Sequence, residues 1–487
     1  MNGHPSKPRR SGRILSSLAA SAVLLTTTAT AAPSAAASDP WWLAKALASD
    51  VTGPKAWHHL KAFSEATHAH GGNRVSGSPG YDAAAAYVTK TLTDSGYQVR
   101  RQEFTFPDYE MVAETATETA PVGRELHPLL AYFSVSTTEA GISATLAEPA
   151  GKATGCTPED YTGRDVTGKI VLVDAGGCAT SLKQVVAAGA GAAALLMNVN
   201  YTNPTMNIRH RIVPPEQARI PTATLTRAEA QELKADAAKG EVSLHLDLRS
   251  RRITTKGYNL IADTPTGDEA NTVVVGSHLD SVDTTPGMND NAAAAAMQLE
   301  IARQLAPHAG KIKNRVRFAW WDAEEKGLVG SQYHVDQLSR RQRDGTSLYL
   351  NLEMIGSPNF ARQVYNGQTP GGPAPAGSRQ ITKTIEDYFA RQNLPTVGLE
   401  LDDRSDHSPF IKAGIPAGGV NAGAETLKPA EWVPLFGGKA GEMLDHCYHQ
   451  SCDTLDNVNP AIFDQFGRAI AWTTGHYAVE ALDPRGR

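Results

Sequence analysis

From Trp41 to about Phe106 apolar side chains first recur at helical spacing (Ala84, Val88, Leu92, Tyr97), and residues 98–106 then alternate apolar and polar positions. The first pattern predicts an amphipathic helix and the second a half-buried strand. From Tyr258 onward, short apolar runs at 272–275, 316–321 and 348–352 alternate with helical stretches, one of them opened by the alanines 292–296. That alternation predicts an α/β domain with a mixed, largely parallel sheet and helices on both faces. Between 107 and 252 the pattern changes. This stretch is rich in Ala, Gly, Val and Thr, with strand-like runs at 169–173, 192–197 and 223–225 and an Ala-rich helix at 182–188. It reads as a separate β-rich module, residues 109–252, inserted into a main domain of residues 39–108 and 253–487. Residues 368–377, dense in Pro and Gly, read as a surface loop.

The beginning of the chain follows neither pattern. Lys7, Arg9, Arg10 and Arg13 precede an apolar run at 14–25 that is too short to span a membrane, and small residues follow. Residues 1–38 are therefore expected to be a signal peptide, and Arg9-Arg10 permits a twin-arginine route. No later stretch reaches the roughly 18 apolar residues of a spanning helix. A secreted, soluble, monomeric chain is expected.

Composition narrows the function. With 41% hydrophobic and 20% charged residues the 487-residue chain is an ordinary globular protein. Lys+Arg 46 against Asp+Glu 51 leaves a net charge of −5, no basic surplus for a phosphate backbone, and no nucleic-acid partner is expected. Four cysteines are too few for a disulfide scaffold.

Each of the three apolar runs of the main domain ends in side chains able to hold a metal: His278 and Asp280 after the first, Asp322, Glu324 and Glu325 after the second, Glu353 after the third. Parallel strands open their carboxyl ends into one crevice, so these groups should meet. The loop Gly287-Met288-Asn289-Asp290-Asn291 adds a carboxylate, and Cys447-Tyr448-His449-Gln450-Ser451-Cys452 adds a second imidazole. Mixed nitrogen and oxygen donors suit Zn²⁺, and the inventory is enough for two ions sharing one carboxylate. Of Glu324-Glu325, one acid bound to metal leaves the other beside the metal's water, where a general base stands. Asp280 is placed to orient the His278 imidazole.

At these stretches, together with Gly72-Asn73-Arg74 and residues 318–331, 351–359, 404–410 and 447–454, the chain resembles the secreted bacterial zinc aminopeptidases of the Streptomyces leucyl-aminopeptidase type. The wider family includes glutamate carboxypeptidases and glutaminyl cyclases. The resemblance covers about residues 45–106 and 255–480, and implies the zinc-exopeptidase fold and release of N-terminal, hydrophobic residues from peptides or proteins with two Zn²⁺ ions. It implies that His278 binds the first zinc, Asp290 bridges, and Glu325 and His449 bind the second. It further implies Glu324 as general base, Tyr448 as oxyanion donor, and Arg404 as a wall of the substrate pocket. The inserted module is similar to a protease-associated domain.

Glu353 stands where the family usually has Asp, which shifts the carboxylate by about 1 Å. This metal ligand also helps hold the substrate ammonium in the family, so a carboxypeptidase or aminoacylase of the same fold is the alternative. Asp403 stands where relatives usually have Gly. Asp50 and Asp464 could serve a calcium site, but Arg468 stands where a further acid is needed, and none is expected. In an oxidising compartment, disulfides Cys447–Cys452 and Cys156–Cys178 are expected. His58, His59, His68 and His70 read as surface residues, and Trp320-Trp321 as core.

Overall fold

The computed structural model describes residues 39–480 together with Met1; the expected leader otherwise lies outside the described residues. The main sheet runs in the order Val397–Leu399, Gln363–Tyr365, Ala417–Asn421, Thr346–Glu353, Asp268–His278, Asn314–Trp321, Ser243–Asp263, with Gln98–Ala120 paired to the last. The four central strands are mutually parallel, and Ser243–Asp263 and Gln98–Ala120 add antiparallel pairings. Trp321 lies opposite His278, and Asn351 opposite Gly276, so the strands ending at His278, Trp321 and Glu353 stop at nearly one level.

The central strands are continuous apolar runs because both faces are covered. On one face Val273, Val275, Phe318, Trp320 and Leu350 pack against helices Gly53–Ala69, Pro79–Asp94, Ala293–Leu305 and Pro460–Val479. On the other, Val274, Ala319, Trp321 and Tyr349 pack with Val335 and Phe410 of the short helices Val329–Asp336 and His407–Lys412. Trp320 and Trp321, successive in a strand, thus fill opposite layers of the core, and both are fully buried. The helical spacing of Ala84, Val88 and Leu92 is met by helix Pro79–Asp94, with Ser78 capping its first turn and those three residues buried, while Tyr97 lies beyond its end.

One histidine departs from expectation. His58, His68 and His70 are exposed, but His59 is buried, with Nδ1 2.8 Å from the Tyr87 hydroxyl and Nε2 3.2 Å from Glu300. Glu300 is the carboxylate that the apolar helix Ala293–Leu305 buries, and it needs such a partner.

The inserted segment carries the parallel strands Ile142–Ala147, Ile170–Asp174, Ala194–Asn198 and Thr222–Leu225, with helices Thr180–Gly189 and Arg227–Ala237. Cys156 is bonded to Cys178 within it. Two long antiparallel strands join it to the main sheet, paired from Gln98↔Asp263 to Ala120↔Ser243. The strand visible at 98–106 therefore continues to Ala120 through the change of composition, with register shifts at Met111/Ala113 and Glu118/Ala120. Among the described residues no helix is long and apolar enough to cross a membrane.

Candidate metal centre

Two imidazoles and three carboxylates converge where the central strands end. His278 Nε2 lies 3.3 Å from Asp290 Oδ1 and 3.4 Å from Glu353 Oε1. His449 Nε2 lies 3.2 Å from Asp290 Oδ2 and 3.3 Å from Glu325 Oε2. Asp290 thus offers one oxygen to each histidine. His449 Nε2 and Glu325 Oε1 are buried yet have no hydrogen-bond partner. Donor atoms about 2.0–2.2 Å from a common tetrahedral ion stand roughly 3.3–3.6 Å apart, which is the spacing seen here. The two groupings, His278 with Glu353 and His449 with Glu325, each joined by Asp290, fit two divalent ions better than they fit pairing with one another.

Electrostatics agree. Desolvation and the neighbouring Glu325 hold Glu324 well above the ordinary carboxylate range, against the pull of His278. Desolvation also raises Glu325. Although burial opposes it, contact with both imidazoles keeps Asp290 well below that range. His449, in turn, is pushed up to about 10 by Glu325 and Asp290, which outweigh its burial. A cleft so crowded with carboxylates calls for positive charge.

The groups that fix these side chains are largely polar and buried. Asp280 accepts the backbone N–H groups of Glu324 and Glu325 at 3.1 and 3.2 Å. His278 Nδ1 lies 3.1 Å from the Asp280 main-chain carbonyl and 3.5 Å from its carboxylate, so Asp280 serves both the imidazole and the Glu324-Glu325 turn. A buried chain runs from Trp321 Nε1 to Tyr349 Oη, from there to Asn351 Oδ1, from Asn351 Nδ2 to Ser405 Oγ, and from Ser405 Oγ to Glu353 Oε2 at 2.5 Å. Ser405 therefore holds one oxygen of Glu353 and leaves the other facing His278. Asp453 accepts the N–H groups of Asn289 and Asp290 at 2.8 and 3.0 Å, while Asp445 receives the Asn289 amide. Arg74, fully buried, donates to the carbonyls of Leu279, Pro286 and Gly287 and ties the His278 and Asp290 loops together. Arg74, Ser405 and Asp453 lie in the quoted motifs without a role, and the sequence does not signal Asp445, since each acts through contacts between distant segments.

Cys447 and Cys452 are bonded, and the six-residue loop they close presents Tyr448 and His449. The Tyr448 ring stacks on the His449 ring with centroids 3.9 Å apart. Desolvation, and Asp290 nearby, hold the Tyr448 hydroxyl well above its usual range, so it stays a neutral donor. Arg404 lines the same cavities as Tyr448 and pairs with Glu425 at 2.8 Å. Away from the centre, Asp464 is taken by the Gly53 N–H and by Arg468.

Two cavities share Glu324, Glu325, Arg404 and Tyr448. A small one of about 110 Å³ is lined by His278, Asp290, Glu325 and Glu353, but not His449, and continues past Met354, Tyr365, Leu399, Asp402 and Glu425. A larger one of about 480 Å³ is walled by Tyr132, Asn207, Arg209 and Arg211 of the insertion.

Donor atoms spaced for paired cations, with the Glu324 carboxylate grouped beside His278 and Glu353, define a metal-dependent hydrolase. The model of peptidase family M28 matches residues 259–474, and that of the PA (protease-associated) domain matches residues 142–233. The "Probable lipoprotein aminopeptidase LpqL" of Mycobacterium tuberculosis is 36% identical over 453 residues, 91% of this chain and 88% of that protein. An aminopeptidase of Pseudomonas aeruginosa is 37% identical over 432 residues, 85% of this chain and 79% of that one. Among solved structures, a zinc aminopeptidase from Bacillus subtilis aligns with a TM-score of 0.67 at 23% identity, covering 89% of this chain and 97% of that one. A peptidase M28 precursor from Shewanella amazonensis gives a TM-score of 0.70 at 20% identity, covering 91% and 98%. The chain belongs to peptidase family M28.

Proposed function

We propose that this chain is a di-zinc aminopeptidase, exported and active as a monomer, that removes N-terminal residues from peptides. One observation carries the reading: Asp290 divides its oxygens between His278 and His449, at 3.3 and 3.2 Å, with Glu324 beside them. His278, Glu353 and Asp290 would hold one ion, and His449, Glu325 and Asp290 the other. When bound, the ions polarise the scissile carbonyl and lower the pKa of the attacking water toward about 7. Glu324 accepts that water's proton and returns it to the departing amine. Tyr448, neutral and stacked on His449, donates to the developing oxyanion. Glu353 helps hold the substrate's ammonium, and Met354 and Leu399 offer apolar contact to its first side chain.

The curated relatives above are aminopeptidases in name, and they do not favour the carboxypeptidase or aminoacylase alternative that Glu353 raised. Export is supported by the leader-like pattern of residues 1–38 and by two disulfides. We assign residues 39–108 and 253–487 to the peptidase domain and 109–252 to the insertion. Leucine p-nitroanilide and its N-acetylated form provide the test. The free amine should be cleaved, the blocked one rejected, and chelation should abolish cleavage until zinc is restored. Equal turnover of both substrates would overturn the aminopeptidase reading.

A further inference from the structure

We infer that Arg211, a residue of the insertion, is a positioning residue for the Glu324-Glu325 turn, so that the inserted module completes the catalytic apparatus it adjoins. The inference rests on the role proposed above for Glu324. Arg211 donates from Nη1 to the Lys326 carbonyl at 2.6 Å and from Nη2 to the Glu325 carbonyl at 2.8 Å. The amides of the same turn, from Glu324 and Glu325, go to Asp280. The turn is therefore gripped twice, by its N–H groups from the main domain and by its C=O groups from the insertion. Within the turn, only the Glu324 carbonyl is taken by following amides, those of Gly327 and Leu328. Two successive carbonyls left over suit a planar fork of donors.

Three further contacts make the grip a built joint. The guanidinium lies so close to Gly327 that a Cβ there would be 2.4 Å from Nη1, and Gly327 has φ +107°, where a side chain is disfavoured in any case. The backbone at Arg211 is bridged to Tyr132, with Tyr132 N–H donating to the His210 carbonyl and Ile212 N–H to the Tyr132 carbonyl. The Tyr132 ring is flanked by Arg211 at 5.4 Å and Lys326 at 4.8 Å, and Lys326 is paired with the buried Asp108 at 3.0 Å. The residue after Glu325 is thus locked to the same tyrosine that locates Arg211.

Displacing a general base by a fraction of an ångström costs rate, whereas substrate affinity depends on other groups. The test uses the full chain, with rates normalised to folded, zinc-loaded protein. In Arg211→Met, kcat for leucine p-nitroanilide should fall about tenfold or more with KM within about twofold. Zinc should also be held about tenfold less tightly at one of its two sites, read by competition with a chromogenic chelator, because Glu325 shares the turn. Arg211→Lys keeps the charge but cannot serve both carbonyls, and should lie between the two. Unchanged kcat and zinc affinity in both variants, or a loss confined to KM, would overturn the inference, the latter marking Arg211 as a substrate contact. Failure of the underlying reading looks different: Glu324→Gln would then retain full turnover whatever Arg211 does.

Discussion

The two halves of the proposed metal centre are built in different ways. His278 and Glu353 sit at the ends of adjacent parallel strands, where sheet register fixes their spacing before any loop is considered. Glu325 lies in a turn and His449 in a disulfide-closed loop, and His449 has a left-handed backbone, φ 57°. A non-glycine residue in that region stores about 1 kcal/mol or more and persists only when its surroundings enforce it. The enforcement is visible: the Cys447–Cys452 bond, the Thr284 hydroxyl donating to the His449 carbonyl, and Asp445 accepting the Cys447 amide. A ligand on a strand end inherits rigidity from the sheet, while a ligand on a loop needs supports of its own.

That contrast can be tested in order of expected effect. Glu324→Gln, on the turn, should lower kcat by about 10²–10⁴-fold while both ions remain bound, as metal analysis beside steady-state kinetics will show. Loss of an ion in that variant would place Glu324 among the ligands instead. Tyr448→Phe, on the loop, should cost about 10²-fold in kcat with little change in metal content. Replacing Cys447 and Cys452 together by serine should weaken zinc about tenfold at the loop-borne site and leave the strand-borne site within about twofold. Equal weakening at both sites would erase the distinction between the halves.

The strand-borne half was also the legible half. The runs ending at His278, Trp321 and Glu353 are apolar because they are covered on both faces, and the polar residues that stop them announce the crevice. The pairings Cys447–Cys452 and Cys156–Cys178 followed from compartment and count, and both bonds are present. What stayed hidden depends on contacts between remote segments. Ser405 and Asp453 lie in the stretches that carry the resemblance, but their roles show only when Glu353 stands beside the first and the Asn289 and Asp290 amides point at the second. His59 was misread for the same reason, since nothing near it in the chain reports Glu300. Arg211 lies in a segment whose composition marks it as belonging elsewhere, and only the folded molecule brings it to the turn.

The ladder from Gln98↔Asp263 to Ala120↔Ser243 bears on how the molecule comes apart. A module hung on a flexible tether melts by itself and offers a protease an easy place to cut. Here the two polypeptide crossings are themselves paired backbone, bonded along nearly their whole length but for irregularities at 111–113 and 118–120, so separating the parts means unzipping the sheet that carries the chemistry. Heating should therefore give one transition in which module and enzyme are lost together, and trimming the module away would leave a bare strand edge in place of a clean stump.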